Sequence, residues 1–236
     1  MLHELQAILT PDIHIKWQDP RIRLAAGAIA GALFLGAAGG GYYWYTQQRE
    51  ARAQMDFSES IEGLNQFITR RLQGVTKPEE AKEQWQELEL SFATAYDRHR
   101  SSSLAPFMQV FQAQAAANAG QPAAAYKLMQ SALKSLSSAS DYYELYTLYA
   151  AVLGTGIEEH VKDSVAQLER LAKNNSVIEP LAKLYLGQYR IANNEVASAV
   201  ALFKQLAVST NQDEYSAVVA KARELLKQYG SVDDQI

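Results

Sequence analysis

The side chains best suited to chemistry are few and scattered in this chain of 236 residues. It has four histidines, His3, His14, His99 and His160, and no cysteine, which excludes disulfides, thiolate nucleophiles and cysteine-ligated zinc. None of the histidines stands in the H-E-x-x-H pattern that binds zinc on one helix face. Glu158-Glu159-His160 could offer two metal ligands, but acidic residues at an exposed helix start explain the same run.

Two other catalytic patterns are absent from the sequence. Gly36-x-x-Gly39-Gly40-Gly41 resembles a phosphate-binding loop, but no Lys-Ser/Thr follows it and it lies inside an apolar segment. The chain also contains no G-x-S-x-G nucleophile elbow. We therefore predict no catalytic residue, no metal and no cofactor, and we expect that the protein is not an enzyme.

The charge distribution argues against nucleic acid as a partner. The formal net charge is -4, and residues 1–46 carry equal numbers of basic and acidic side chains, so the acidic excess lies in the remainder of the chain. A nucleic-acid-binding domain needs a basic patch to contact phosphates. We therefore expect protein and membrane partners instead.

The N-terminal part contains a segment suited to a bilayer. Residues Leu24 to Tyr45 carry no charge, and as a helix they would rise about 33 Å against a hydrocarbon core of about 30 Å. The segment ends in four aromatic residues, Tyr42 to Tyr45. Aromatic side chains are enriched at the headgroup level of a bilayer, where the ends of a transmembrane helix lie. We predict a single transmembrane helix over 24–45. The basic residues before it favour a cytoplasmic N-terminus and an extracytoplasmic body.

Two alternatives to an uncleaved anchor remain open. The segment could be a cleaved signal peptide, with Gly36-Ala37-Ala38 as the small-residue site, or a helix buried in a soluble domain. If the segment is an anchor, two small-residue faces would let a second transmembrane helix approach closely. These faces are Gly27-x-x-x-Gly31 and Gly36-x-x-x-Gly40.

The rest of the chain has a helical pattern throughout and no sustained strand alternation, so the sequence predicts an all-α body. Its first helix, about 51–73, should bury one face made of Phe57, Ile61, Leu64, Ile68 and Leu72. A second helix should lie between Pro78 and Arg98. Later helices are predicted at 104–119, 122–136, 141–154, 158–173, 178–192, 195–208 and 213–229. Gly120-Gln121-Pro122, Asn174-Asn175 and Asn193-Asn194 should form turns between them.

Small and large apolar residues recur at fixed intervals within these helices. Leu186-Gly187, Ala199, Phe203 and Leu206 follow the intervals of the tetratricopeptide repeat. An earlier copy has Ala113, Ala125, Met129 and Ala132, and a less regular copy between them has Ser164, Leu168 and Leu171. The spacing predicts a solenoid of antiparallel helix pairs, closed by the polar-faced helix 213–229. The expected domains are a tail at 1–23, the span at 24–45, a stalk and first helix pair at 46–103, repeats at 104–229 and a tail at 230–236.

The first helix of each pair in such a solenoid lines the concave surface. We expect a partner-binding groove of aromatic and aliphatic side chains there, although core packing explains the same pattern. The groove lacks the lysine and arginine residues that would clamp an acidic tail. Its candidate residues are Phe107, Val110, Phe111, Gln114, Tyr142, Tyr146, Tyr149, Leu181, Leu184, Tyr185 and Gln188.

One local run resembles a known family. Phe92-x3-Tyr96, Ser103-x-Ala105-Pro106, Gln114-Ala115-x6-Gln121, Ala125 and Leu128 are similar to the first repeat of the ancillary Sec-translocon subunits of bacterial inner membranes. Those proteins have a short cytoplasmic tail, one span and degenerate tetratricopeptide repeats. The longer, proline-containing tail and the glycine-rich span of this chain depart from that pattern.

The sequence thus favours an interaction scaffold at the extracytoplasmic face. The resemblance implies the Sec protein-export channel and a membrane-anchored chaperone as its partners. A self-associating envelope-assembly protein without a client groove is the alternative, and an enzyme subunit is a third reading. Homo-oligomers are compatible with the scaffold and follow directly from the alternative.

Overall fold

The computed structural model describes residues 20–74, 77–208 and 216–230, with side chains from residue 39 onward except that of Pro78. Within these residues the chain is all-α, with nine helices consistent with a helical repeat and no strand. The predicted fold class is confirmed at this level. The helices are α1 (Pro20–Leu72), α2 (Pro78–Arg98), α3 (Ala105–Asn118), α4 (Pro122–Ser135), α5 (Tyr143–Gly154), α6 (Val161–Leu171, after a 3-10 turn at Glu158–His160), α7 (Glu179–Ala192), α8 (Val196–Val208) and α9 (Ser216–Tyr229).

Helix α1 differs from the sequence prediction of two separate helices at 24–45 and about 51–73. It is one continuous helix of 53 residues. No glycine or proline occurs between residues 42 and 62, so nothing in that stretch favours an interruption. The chain divides into two compact units, 1–51 and 52–236, and α1 contributes to both.

The described residues contain no helix that is both long enough and apolar enough for a bilayer crossing. The side chains of residues 24–38, which form most of the predicted span, lie outside the described ones. The N-terminal tail up to residue 19 and the C-terminal residues 231–236 also lie outside them. The membrane span and the two tails therefore remain predictions.

The buried face of α1 agrees in part with the one that the sequence predicted, since Phe57 and Ile61 are half-buried and pack against the core as expected. Leu64 and Phe67 are buried in the core, whereas Ile68 is 39% exposed and Leu72 is 84% exposed. The face that packs against α2 and α3 follows Ala53, Ser60, Leu64 and Phe67. Consecutive intervals of four residues drift around a helix of 3.6 residues per turn, so the two such intervals from Leu64 to Leu72 carry Ile68 and Leu72 off the buried face.

The core of the second unit is a series of hydrophobic clusters, each built by three consecutive helices. One cluster joins α1, α2 and α3, the next joins α3, α4 and α5, a third joins α5, α6 and α7, and a fourth joins α7, α8 and α9. Each cluster shares one helix with the next. This arrangement is typical of repeat proteins, in which every unit contacts only its neighbours.

The repeated positions singled out in the sequence are all buried. The set comprises Ala113, Ala125, Met129, Ala132, Ser164, Leu168, Leu171, Leu186, Gly187, Ala199, Phe203 and Leu206. At Gly187 the absence of a side chain admits the Phe203 ring, because a Cβ there would lie 2.7 Å from Cζ of that ring. Gly154 plays the same part against Ser164 in the middle copy. The residues inserted around Thr155–Glu159 change the interval between Gly154 and Ser164, so the repeat spacing did not single out Gly154.

Three predicted turns are confirmed by their backbone geometry. Gly120, Asn175 and Asn194 have φ angles of 86°, 48° and 62°, in the left-handed region that glycine and asparagine tolerate best. The amide of Gln121 donates to the carbonyl of Ala116 (2.9 Å), and that of Glu195 donates to Arg190 (2.8 Å). These are the Schellman bonds that end a helix and reverse the chain, so they place α3–α4 and α7–α8 as antiparallel hairpins.

A polar contact connects α1 to the end of α2. Nε2 of His99, a buried residue, lies 3.0 Å from Oδ2 of Asp56, and the Arg98 guanidinium lies 3.4 Å from the same oxygen. The hydrogen bond from His99 is the main cause that lowers the pKa of Asp56 below its ordinary 3.8, against the opposing effect of burial.

This contact predicts an acid-dependent loss of stability. Because the folded state lowers the pKa of Asp56, its contribution is present above the unfolded value of 3.8 and disappears as the pH falls through the folded value. We expect Asp56→Asn to lose about 1–2 kcal/mol near pH 6, and we expect this loss to shrink steadily as the pH falls below 3.8. Urea unfolding at several pH values measures the difference. Asp97→Asn is the control, since Asp97 pairs with Arg100 at the exposed surface and such pairs contribute little.

Candidate functional site

The candidate site is a stripe of aromatic side chains on the first helices of three successive pairs. It consists of Phe107 on α3, Tyr142, Tyr146 and Tyr149 at and along α5, and Tyr185 on α7; we call it the tyrosine stripe. Tyr142, Tyr146 and Tyr149 follow one another at intervals of four and three residues, which places them on one helix face. The sequence predicted all five as groove residues.

Ring contacts hold the first part of the stripe together. The Tyr142 and Tyr146 rings stack at 6.1 Å between centroids. Phe107 meets both rings edge-on, at 5.9 Å from Tyr142 and 6.2 Å from Tyr146. Such edge-to-face and stacked pairs add about 0.5–1.5 kcal/mol each beyond the burial of their area. The rings are therefore held in a fixed arrangement, which keeps the entropic cost of binding low.

The stripe reaches solvent on its outer side. Tyr142 is 53% exposed and Tyr149 is 37% exposed, whereas Tyr146 is buried below them. Burial raises the pKa of Tyr146, and the neighbouring Tyr142 adds to the shift. Burial likewise raises the pKa of Tyr149, with a smaller contribution from Tyr185. Both phenols therefore remain protonated at neutral pH and keep a hydrogen-bond donor beside an apolar ring face.

The helices that carry the stripe have little free charge. Helix α3 contains no charged residue. The only charged residue of α5 is Glu144, which accepts a hydrogen bond from Asn174 at 2.6 Å. On α7, Lys183 pairs with Glu179 at 2.7 Å and Arg190 pairs with Glu169 at 3.0 Å. The chemistry of the stripe is therefore that of ring faces and phenol donors.

In comparisons with known proteins, the chain matches no family model, no curated protein and no solved structure.

The remaining predicted groove residues take up different positions. Val110 and Leu184 are buried in the core clusters, and Phe111 packs away from the stripe, stacked at 5.4 Å on Phe92. Gln114 and Leu181 are half-buried. Packing between helices thus explains Val110, Leu184 and Phe111. The candidate partner-binding surface therefore contains fewer residues than the sequence predicted.

Tyr185 also borders an open cavity. Together with Gln188 it lines a space of about 430 Å³ beneath the turn that joins α5 to α6. The walls include the apolar side chains of Val152, Val161 and Leu168 and contain no charged residue. The cavity extends the stripe toward the end of α7 and offers room for an apolar side chain of a partner.

Two further sets of predicted residues lie elsewhere. Gly27, Gly31 and Gly36 belong to the part of α1 whose side chains lie outside the described ones, and at Gly40 an added Cβ would meet nothing within 4 Å. Glu158–His160 form the 3-10 turn before α6, and the His160 ring stacks on Tyr126 at 4.5 Å. Among the residues that the structure describes, no three histidine, aspartate or glutamate side chains lie close enough together to hold a metal ion.

Proposed function

We propose that this protein is a membrane-anchored scaffold whose helical-repeat body, of the tetratricopeptide type, binds segments of other proteins. The observation that carries the proposal is the tyrosine stripe: pre-arranged rings, exposed on one side, on the first helices of three pairs. Tyrosine supplies a large contact area and a hydrogen-bond donor at a small cost in side-chain entropy, and it is enriched where proteins bind one another. An amphipathic or extended segment suits such a surface.

The anchor is the apolar segment at 24–45, which begins inside α1. Its aromatic end supports this part of the proposal, since Tyr42, Tyr43, Trp44 and Tyr45 are between 60% and 72% exposed. Four consecutive exposed aromatic rings are costly in water and favourable at the headgroup level of a bilayer. The tail at 1–23 would then be cytoplasmic, and the body would work at the extracytoplasmic face of the inner membrane.

The resemblance to the ancillary Sec-translocon subunits names the partners within this proposal. They are the Sec protein-export channel and a membrane-anchored chaperone that receives exported chains. A body that binds proteins beside the channel would use the tyrosine stripe for one of these contacts. Self-association without a client is the competing outcome, and the experiment below distinguishes the two.

Photocrosslinking in native membranes tests the proposal. A photoreactive phenylalanine analogue replaces Tyr142 or Tyr149, both exposed, and Lys127 on the outer side of α4 serves as the matched control position. We expect adducts with other proteins from the two stripe positions and none from the control. The adducts should stay in the membrane pellet after alkaline carbonate extraction, because an integral anchor resists it.

Three results would contradict the proposal. Adducts made only of two copies of this chain would support self-assembly instead. Equal crosslinking from Lys127 would show that the stripe has no preference over any exposed surface. Release of the unprocessed, full-length chain by carbonate would exclude the membrane anchor.

A further inference from the structure

A cavity lined by both polar and apolar side chains lies between the second helices of two neighbouring pairs, and no residue of the tyrosine stripe borders it. Helices α4 and α6 form its walls and α5 forms its floor, and its volume is about 340 Å³. The side chains that define it chemically are Gln130, Lys134, Tyr143, Asp163, Gln167 and Arg170. On each wall they recur at intervals of three or four residues, so they form two facing rows.

The two rows run in the same direction. Helices α4 and α6 each follow a helix of the opposite direction, and their beginnings are joined by the stacked rings of Tyr126 and His160 at 4.5 Å. Lys134 and Arg170 lie two to three turns further along, about 12–15 Å from this ring pair along the helix axes. The cavity therefore has two different ends, with the glutamine side chains between them.

One end of the cavity is cationic. Lys134 and Arg170 both border it, and neither forms an ion pair within the described part of the chain. The nearby carboxylates have other partners: Glu169 accepts from Arg190 at 3.0 Å, and Glu144 accepts from Asn174 at 2.6 Å. Two cations that border the same cavity and have no acidic partner offer charged hydrogen-bond donors to an anion bound there.

The opposite end of the cavity is acidic, and the side-chain amides of two glutamines line its middle. Asp163 borders the cavity within the first turn of α6, which gives the cavity a negative charge at the end away from Lys134 and Arg170. Gln130 and Gln167 face the space between, and each carries both a donor and an acceptor, as a peptide group does. The floor at Ala150 and Ala151 is formed by small side chains, which leaves room for a backbone.

We propose that this cavity binds an extended acidic peptide segment of a partner protein, with a carboxylate between Lys134 and Arg170 and peptide groups on Gln130 and Gln167. The two glutamines favour a peptide over a simple phosphate, which cations alone would satisfy. From Tyr126 to Lys134 helix α4 rises about 12 Å, a distance that about four residues of extended chain span. This site does not depend on the tyrosine stripe, because no stripe residue lines it.

A peptide-binding assay with the full-length chain tests the proposal. The probe is the tetrapeptide Ala-Ala-Ala-Asp with an N-terminal fluorophore, followed by fluorescence anisotropy. Versions with an amidated C-terminus, with alanine in place of the aspartate, and with asparagine and an amidated end distinguish a side-chain from a main-chain carboxylate. We expect the three peptides that keep a carboxylate to bind and the uncharged fourth to bind about tenfold more weakly or worse. The tighter of the amidated and the alanine peptides identifies which carboxylate the site prefers.

Variants of the protein locate the binding. The double variant Lys134→Gln and Arg170→Gln should lose about tenfold or more in affinity for the acidic peptide, while the circular dichroism spectrum stays unchanged because both side chains are exposed. Lys127→Gln removes one exposed cation from α4 outside the cavity and should bind as the wild type does. Asp163→Asn should bind the acidic peptides at least as tightly, since it removes a negative charge.

Several outcomes would overturn this inference. They are no measurable binding of any acidic tetrapeptide, equal binding of the uncharged peptide, or an equal loss of affinity in Lys127→Gln and in the double variant. The last result would show attraction to the basic surface in general and no binding in the cavity.

Discussion

The Phe92→Ala variant should lose about 3–5 kcal/mol of its free energy of unfolding, the usual range for deleting a fully buried aromatic ring. Phe92 is completely buried on α2 and touches two other rings, Phe57 of α1 at 6.3 Å and Phe111 of α3 at 5.4 Å. These two rings also meet each other, at 5.6 Å. Truncation at Phe92 would therefore leave a cavity where three helices meet through aromatic contacts.

Hydrogen exchange of the full-length chain measures the effect and its location. Because repeat units contact only their neighbours, protection should fall in α1, α2 and α3 and remain unchanged in α7 to α9. Leu90→Ala is the matched control on the same helix, since Leu90 is 68% exposed and its truncation should change stability by less than about 0.5 kcal/mol. Uniform loss of protection over all helices would contradict the segmented core described above.

The second large effect is expected at Gly187, where alanine should destabilise the last helix pairs by about 1–3 kcal/mol. A Cβ at this position would overlap the edge of the Phe203 ring, which is fully buried and closely surrounded on α8. Alanine has a higher helix propensity than glycine by about 1 kcal/mol, and the steric overlap must exceed this gain. Thermal unfolding followed at α7 to α9 by hydrogen exchange measures the net result.

Gly63→Ala provides a control of opposite sign. Gly63 is exposed within α1, and its added Cβ would meet only Cδ2 of Leu88, at an ordinary 3.7 Å, so this variant should gain up to about 1 kcal/mol. Combining Gly187→Ala with Phe203→Leu should destabilise by less than the sum of the two, because the shorter side chain removes the overlap. Strict additivity would show that the two residues do not compete for the same space.

Much of the fold follows from local signals in the sequence. The turns at Gly120, Asn175 and Asn194 were predictable because few other residues tolerate a left-handed backbone. The repeat positions around Gly187 and Phe203 were predictable because the spacing of small and large residues fixes how closely two helices pack. Both kinds of signal depend on residues a few positions apart, which a sequence displays directly.

Other features depend on contacts between distant residues. Whether Phe111 faces a partner or the core depends on Phe92 and Phe57, which come from two other helices. Phe111 follows Phe107, and Tyr146 follows Tyr142, at an interval of four residues. The helical period therefore could not distinguish these less exposed aromatic residues from the exposed ones. The cationic end of the cavity between α4 and α6 could not be predicted from the sequence either, because Lys134 and Arg170 lie 36 positions apart in the chain.

The overlapping clusters of the body have a mechanical consequence. Since each cluster depends on three successive helices and shares only one with the next, α9 can detach without emptying the cluster built by α3, α4 and α5. A pulling force between the two ends would then peel the helices away in steps, and each step would be small enough to reverse. We expect a body of this kind to unfold gradually under load and to refold helix by helix when the load is removed.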